Sequence, residues 1–220
     1  MLKLIVGNWK LYVRNLAEGK KLLKSIDSSF PRKTTATVVV CPPTSLAVAL
    51  RAIYSGKRIK FGTQDASTEY EGAHTGEVSA VSLGESGIEY VILGHAERRS
   101  KGDTDEVVSK KIASALSQKL HTIVCVGESS RDDEGGHFAE LKKNVTNTLQ
   151  RVEARDAMRI TVAYDPLWAI GNAEAPTPRV IKEAIIFIRK TLADMWGRER
   201  ALKVRIIYGG SVDSTSAGAI

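Results

Sequence analysis

The chain has 220 residues, of which 43% are hydrophobic and 26% charged, with a formal net charge of +7. That composition excludes disorder, and a chain of this length buries roughly 70% of its unfolded surface, enough for a core without covalent staples. Basic residues are interleaved with acidic ones, as between Arg151 and Arg159, and no aromatic-basic platform accompanies them, so the charge does not mark a nucleic-acid partner.

In chain order, short β-branched runs alternate with longer helical patterns. The first strand is expected at residues 2–6, within an apolar stretch too short for a signal peptide. Leu16, Leu22, Leu23 and Ile26 then recur at helical spacing. Strands come next at residues 37–41, 59–62 and 90–93, and a helix is expected around Val107, Val108, Ile112 and Leu116. Further strands fall at 122–126, 160–163 and 204–208. Before the last of them runs a helix marked by Val180, Ile181, Ala184, Ile185, Ile188 and Leu192. Thr177-Pro178 supplies that helix with a cap residue and then a proline suited to the first turn. The continuous apolar runs Val38-Val39-Val40 and Ile123-Val124-Cys125-Val126 are typical of strands covered on both faces. No apolar run reaches 18 residues, so no membrane span is expected. Cys41 and Cys125 are too few for a disulfide framework and fit a reduced, cytoplasmic setting. No linker divides the β-α repetition, and a single α/β domain over residues 1–220 is expected, either a doubly wound sheet or an α/β barrel.

The residues just after each strand separate those two architectures. Asn8, Trp9 and Lys10 come after the first, Gln64 and Asp65 after the third, and Gly94, His95, Ala96 and Glu97 after the fourth. Gly127-Glu128, Asp165-Pro166 and Gly209-Gly210-Ser211 come after the fifth, sixth and seventh. Polar groups spread over many strand ends suit a barrel, whose active site converges from separate strands. A doubly wound sheet concentrates them at one switch point.

Six segments carry a more specific signal: Gly7-Asn8-Trp9-Lys10, Gly76-Glu77-Val78-Ser79-Ala80, Gly94-His95-Ala96-Glu97-Arg98-Arg99, Cys125-Val126-Gly127-Glu128, residues 163–171 from Ala163-Tyr164-Asp165-Pro166 to Gly171, and Tyr208-Gly209-Gly210-Ser211-Val212. In order and spacing they resemble the triosephosphate isomerase family. The resemblance implies a (β/α)8 TIM barrel that interconverts glyceraldehyde 3-phosphate and dihydroxyacetone phosphate through an enediolate, in glycolysis and gluconeogenesis. It implies Asp165 as the base, His95 as the electrophile on the carbonyl oxygen, and Lys10 with Asn8 as electrostatic partners. Gly171, Gly209, Gly210 and Ser211 would cradle the phosphate, and Glu97 would stand behind the site. Residues around Thr75-Gly76-Glu77, with Glu97 and Arg98, match the family's dimer-forming loop, so a homodimer is implied. The reaction needs neither cofactor nor metal, and no Cys/His set has metal-ligand spacing.

Four departures qualify the resemblance. Asp165 stands where the family has glutamate, which withdraws the carboxylate by about 1 Å and implies slower turnover. The segment after it reads Asn172-Ala173-Glu174-Ala175-Pro176 in place of a glycine-containing tip with lysine. Ala96 replaces a serine after His95. The chain stops at Ile220, where the family continues into an eighth β/α unit. Two rivals remain: a folded barrel that has lost catalysis and serves as a binding or scaffold protein, and another phosphosugar barrel enzyme, which would share the glycines but not the lysine–histidine–carboxylate set.

Overall fold

A computed structural model describes residues 3–31, 36–132, 134–169, 176–210, 212 and 217–218. They fall into two compact units, one of residues 1–93 with 114–122, the other of residues 94–113 with 123–220.

The first unit contains β1 (Lys3–Asn8), α1 (Leu16–Ser29), β2 (Ala36–Cys41), α2 (Thr44–Ile53), β3 (Ile59–Thr63), α3 (Ala80–Glu85) and β4 (Tyr90–Leu93). Its strands pair in chain order and all in parallel. Lys3 stands opposite Ala36, Val38 opposite Ile59, and Gly62 opposite Tyr90. The apolar run in β2 behaves as its sequence implies, because Val38, Val39 and Val40 are all buried. The strand β1 is less covered: Ile5 is 50% exposed, and the strand alternates between exposed and half-buried positions before its last two. It also runs two residues further than expected, so Asn8 is the strand's last residue and not the first of the turn. In α1 the Asn15 side chain caps the Glu18 amide, and the Glu18 carboxylate reaches back to the Arg14 amide, satisfying two end donors reciprocally. Of the apolar positions expected on its inner face, Leu23 is buried while Leu22 is exposed. The small Gly19 sits against Leu50 of α2 instead.

The second unit contains α4 (Ala96–Arg99), most of α5 (Asp105–Ser117) and of β5 (His121–Val126), α6 (Gly136–Thr148), β6 (Ile160–Tyr164), α7 (Pro178–Trp196), α8 (Arg198–Lys203) and β7 (Arg205–Tyr208). Strands β6 and β7 run parallel, with Thr161 opposite Arg205 and Tyr164 opposite Tyr208. Helix α7 starts as its sequence implies, with the Thr177 hydroxyl accepting from the Val180 amide and Pro178 in the first turn. It buries Ile181, Ala184, Ile188 and Leu192, a single stripe at helical spacing. All five residues of β6 are buried, so the polar residues after it leave a tightly packed strand.

Candidate active site

In the first unit, the turn after β1 is built around Lys10. The Asn8 carboxamide oxygen accepts the Lys10 amide at 3.1 Å, a short side-chain loop of the kind asparagine favours. Lys10 has φ +47°, the left-handed region that side chains other than glycine rarely adopt. Such strain persists only where its surroundings over-determine it. Here the Gln64 carboxamide donates from one nitrogen to the Lys10 carbonyl at 3.0 Å and to the Cys41 carbonyl at 2.9 Å, tying the turn to the end of β2. The sequence places Gln64 after the third strand without assigning it a role. Its position one residue beyond β3 was the available signal. Next to this turn, Leu11 and Tyr12 are 81% and 83% exposed.

In the second unit, His95 caps the short helix α4. Its Nδ1 accepts the Glu97 amide at 3.2 Å. A nitrogen that accepts carries no proton, so neutral His95 presents Nε2–H as its donor. Glu97 is half-exposed, its carboxylate 3.9 Å from the same Nδ1. Behind His95, Arg99 holds the turn. It donates to the Gly94 carbonyl at 2.8 Å, pairs with Asp105 at 2.6 Å, and reaches the Thr148 hydroxyl at 3.1 Å. Asp105 also accepts from Asn144 at 2.7 Å, and the Asn144 oxygen accepts the Gly127 amide at 3.1 Å. One half-buried network therefore sets the turns after both β4 and β5.

Asp165 leaves β6 with its amide donating to the Val126 carbonyl at 2.7 Å. Gly127 lies so close that a Cβ there would stand 2.8 Å from the Pro166 Cα and overlap the Asp165 carbonyl, so only glycine permits this approach. The Asp165 side chain is 6% exposed, with Oδ2 at 3.9 Å from His95 Nε2. That separation exceeds a hydrogen bond, so the acceptor and the donor face each other without being consumed by each other.

Around Asp165 stand groups not expected from the sequence as site residues. Glu128 is fully buried, and its Oε1 accepts the Tyr164 hydroxyl at 2.7 Å and the Trp168 indole N–H at 2.9 Å. The residue before Asp165 and the third residue after it are thus held by one carboxylate. Burial, then the Glu128 charge, raises the Tyr164 phenol well above its ordinary value. From β7, Tyr208 is raised by burial and then by the Asp165 charge. The Gly209 amide donates to the Tyr164 carbonyl at 2.7 Å. At Gly210 a Cβ would collide with the end of the Tyr208 ring.

Of the residues singled out from sequence, His95, Asp165, Glu97, Gly209 and Gly210 thus belong to one unit and Asn8 and Lys10 to the other. Gly171 and Ser211 lie outside the described residues. Among the described residues no group of three or more His, Cys, Asp or Glu is arranged to hold a metal ion, and no helix is long and apolar enough to cross a membrane.

Comparison with known proteins adds an independent line. The family model described as triosephosphate isomerase matches residues 3–220. A triosephosphate isomerase of Moorella thermoacetica is 43% identical over 212 residues, 95% of this chain and 84% of that protein. One of Thermoanaerobacter sp. (strain X514) is 41% identical over 213 residues, again 95% and 84%. One of Saccharopolyspora erythraea is 38% identical over 223 residues, 99% and 85%.

Proposed function

Because the chain belongs to the triosephosphate isomerase family, whose α/β barrel is the fold class its sequence implies, we propose that it interconverts glyceraldehyde 3-phosphate and dihydroxyacetone phosphate. The observation that carries this reading is the pair His95 Nε2 and Asp165 Oδ2, 3.9 Å apart on a buried carboxylate. Isomerisation moves a proton between adjacent carbons, which needs a base at carbon and a donor at oxygen. Asp165 takes the proton from the carbon next to the carbonyl. The His95 Nε2–H polarises the carbonyl oxygen, the electrophilic role of a neutral imidazole assigned in this family. The enediolate that forms is negatively charged, and membership of the family makes the Lys10 ammonium its counter-charge. Gly210, with Gly171 and Ser211, is the proposed source of backbone N–H groups for the phosphate, and Gly209, whose own amide is taken by the Tyr164 carbonyl, shapes the turn that presents them.

Aspartate in place of the family's glutamate sets the carboxylate back by one methylene, and slowed turnover belongs to this reading. So does a homodimer, supported by the exposure of Leu11 and Tyr12, two large apolar side chains side by side. A single domain over residues 1–220 and a reduced, cytoplasmic setting are also part of it. The latter is supported by two buried cysteines that are not joined in a disulfide, of which burial raises the Cys41 thiol. The second reading, a folded scaffold without catalysis, draws on Asp165 standing where the family has glutamate. Incubating dihydroxyacetone phosphate with the protein in D2O decides between them. Enzyme-dependent deuterium at the reacting carbon, lost in Asp165→Asn, is expected, and no incorporation above the buffer rate overturns the isomerase reading.

A further inference from the structure

We infer that Arg131 is a positioning residue for the base, acting through Glu128; the inference rests on the isomerase reading above. Glu128 is 0% exposed, and a buried carboxylate is costly unless it is matched by charge as well as hydrogen bonds. Its hydrogen-bond donors, the Tyr164 hydroxyl and the Trp168 indole, are both neutral. The cation that faces it is Arg131, with Nη1 at 3.5 Å from Glu128 Oε1 and the side chain 20% exposed.

Arg131 is itself fixed from two further directions. Its Nη2 donates to Glu183 of α7 at 3.4 Å, and its guanidinium lies 5.9 Å over the Phe138 ring. Phe138 in turn packs on Phe187 of α7. The guanidinium therefore joins α7 to the carboxylate that grips the chain on both sides of Asp165. The planar fork suits this work, since it faces two carboxylates and one ring face at once. Without it, Glu128 keeps its burial but loses its charge partner. The grip on Tyr164 and Trp168 then slackens, and the Asp165 carboxylate is less well placed.

The test uses Arg131→Met, which keeps an apolar stem on Phe138, with two readouts. The first is the indole 1H–15N resonance of Trp168, assigned by its loss in Trp168→Phe. The second is steady-state isomerisation. The resonance is expected to move toward that of an unbonded indole, with kcat falling about tenfold and KM changing less than twofold, as a displaced base implies. Arg131→Lys is expected to restore part of both, and Arg131→Met should add little in a Glu128→Gln background. If Arg131→Met fails to fold, Glu183→Ala, on the more exposed carboxylate, should shift the resonance in the same direction by less. A Trp168 resonance that stays in place overturns the inference, whether or not kcat falls. The resonance is read without substrate, so an inactive parent protein would overturn the isomerase reading and leave the contact itself still decided by the spectrum.

Discussion

Lys10 and Asp165 are both charged residues in turns that leave parallel strands, and they are held in opposite ways. Lys10 comes after β1, a strand with an exposed Ile5, and precedes the exposed Leu11 and Tyr12. The backbone of Lys10 is fixed by polar clamps from Asn8 and Gln64 into a conformation that lysine does not favour. Asp165 comes after the fully buried β6 and is fixed by close packing, with Gly127 against its carbonyl and Glu128 beneath its neighbours. One charge is aimed by strain and the other by packing. The cost of disturbing them should differ accordingly.

The largest effect is expected at the packed site. Asp165→Asn keeps the shape and removes the proton acceptor, and kcat should fall by about 10³–10⁴-fold. The strained site should show a smaller loss in activity together with a gain in stability. Lys10→Gly removes the cation, at about 10²–10³-fold in kcat/KM, and relieves the positive φ, raising stability by about 1 kcal/mol in urea melts. Loss of stability in that variant would contradict the strain argument. Gly127→Ala tests packing from the other side. The methyl group has no room, so it should cost about 1–3 kcal/mol of stability and, by displacing Asp165, about tenfold or more in kcat.

The smallest effect lies away from both turns, at the start of α1. The Arg14 backbone N–H, then its guanidinium, holds the Glu18 carboxyl below its ordinary value. A depressed carboxyl stabilises the fold above its unfolded pKa, and that contribution is lost as pH falls through the folded value. Glu18→Gln should therefore melt slightly lower than the parent at neutral pH, with the gap closing in acid. A gap that is constant with pH would show that the charge plays no part.

Local patterns carried much of this into the sequence. Helix α7 announced both its cap at Thr177-Pro178 and its buried stripe, and Val38-Val39-Val40 announced a strand covered on both faces. The residues bearing the proposed chemistry were legible because they lie at strand ends within short motifs in family order. The groups that hold them were not. Gln64 reaches Lys10 across 54 positions, Asn144 reaches Asp105 across 39, and Trp168 reaches Glu128 across 40. No spacing rule connects residues so far apart, and each partner alone reads as an ordinary polar residue. Exposure at β1 escaped for a similar reason, since an apolar run does not reveal which of its side chains are covered.

The central claim is that Asp165 works as the base of an isomerase, one methylene short of the family's glutamate. It is tested most directly by steady-state isomerisation of glyceraldehyde 3-phosphate by the parent chain and by Asp165→Glu, assayed side by side. A measurable parent rate, with kcat rising about 10²-fold in Asp165→Glu, is the predicted result. No activity in either protein, with both folded by circular dichroism, would contradict it.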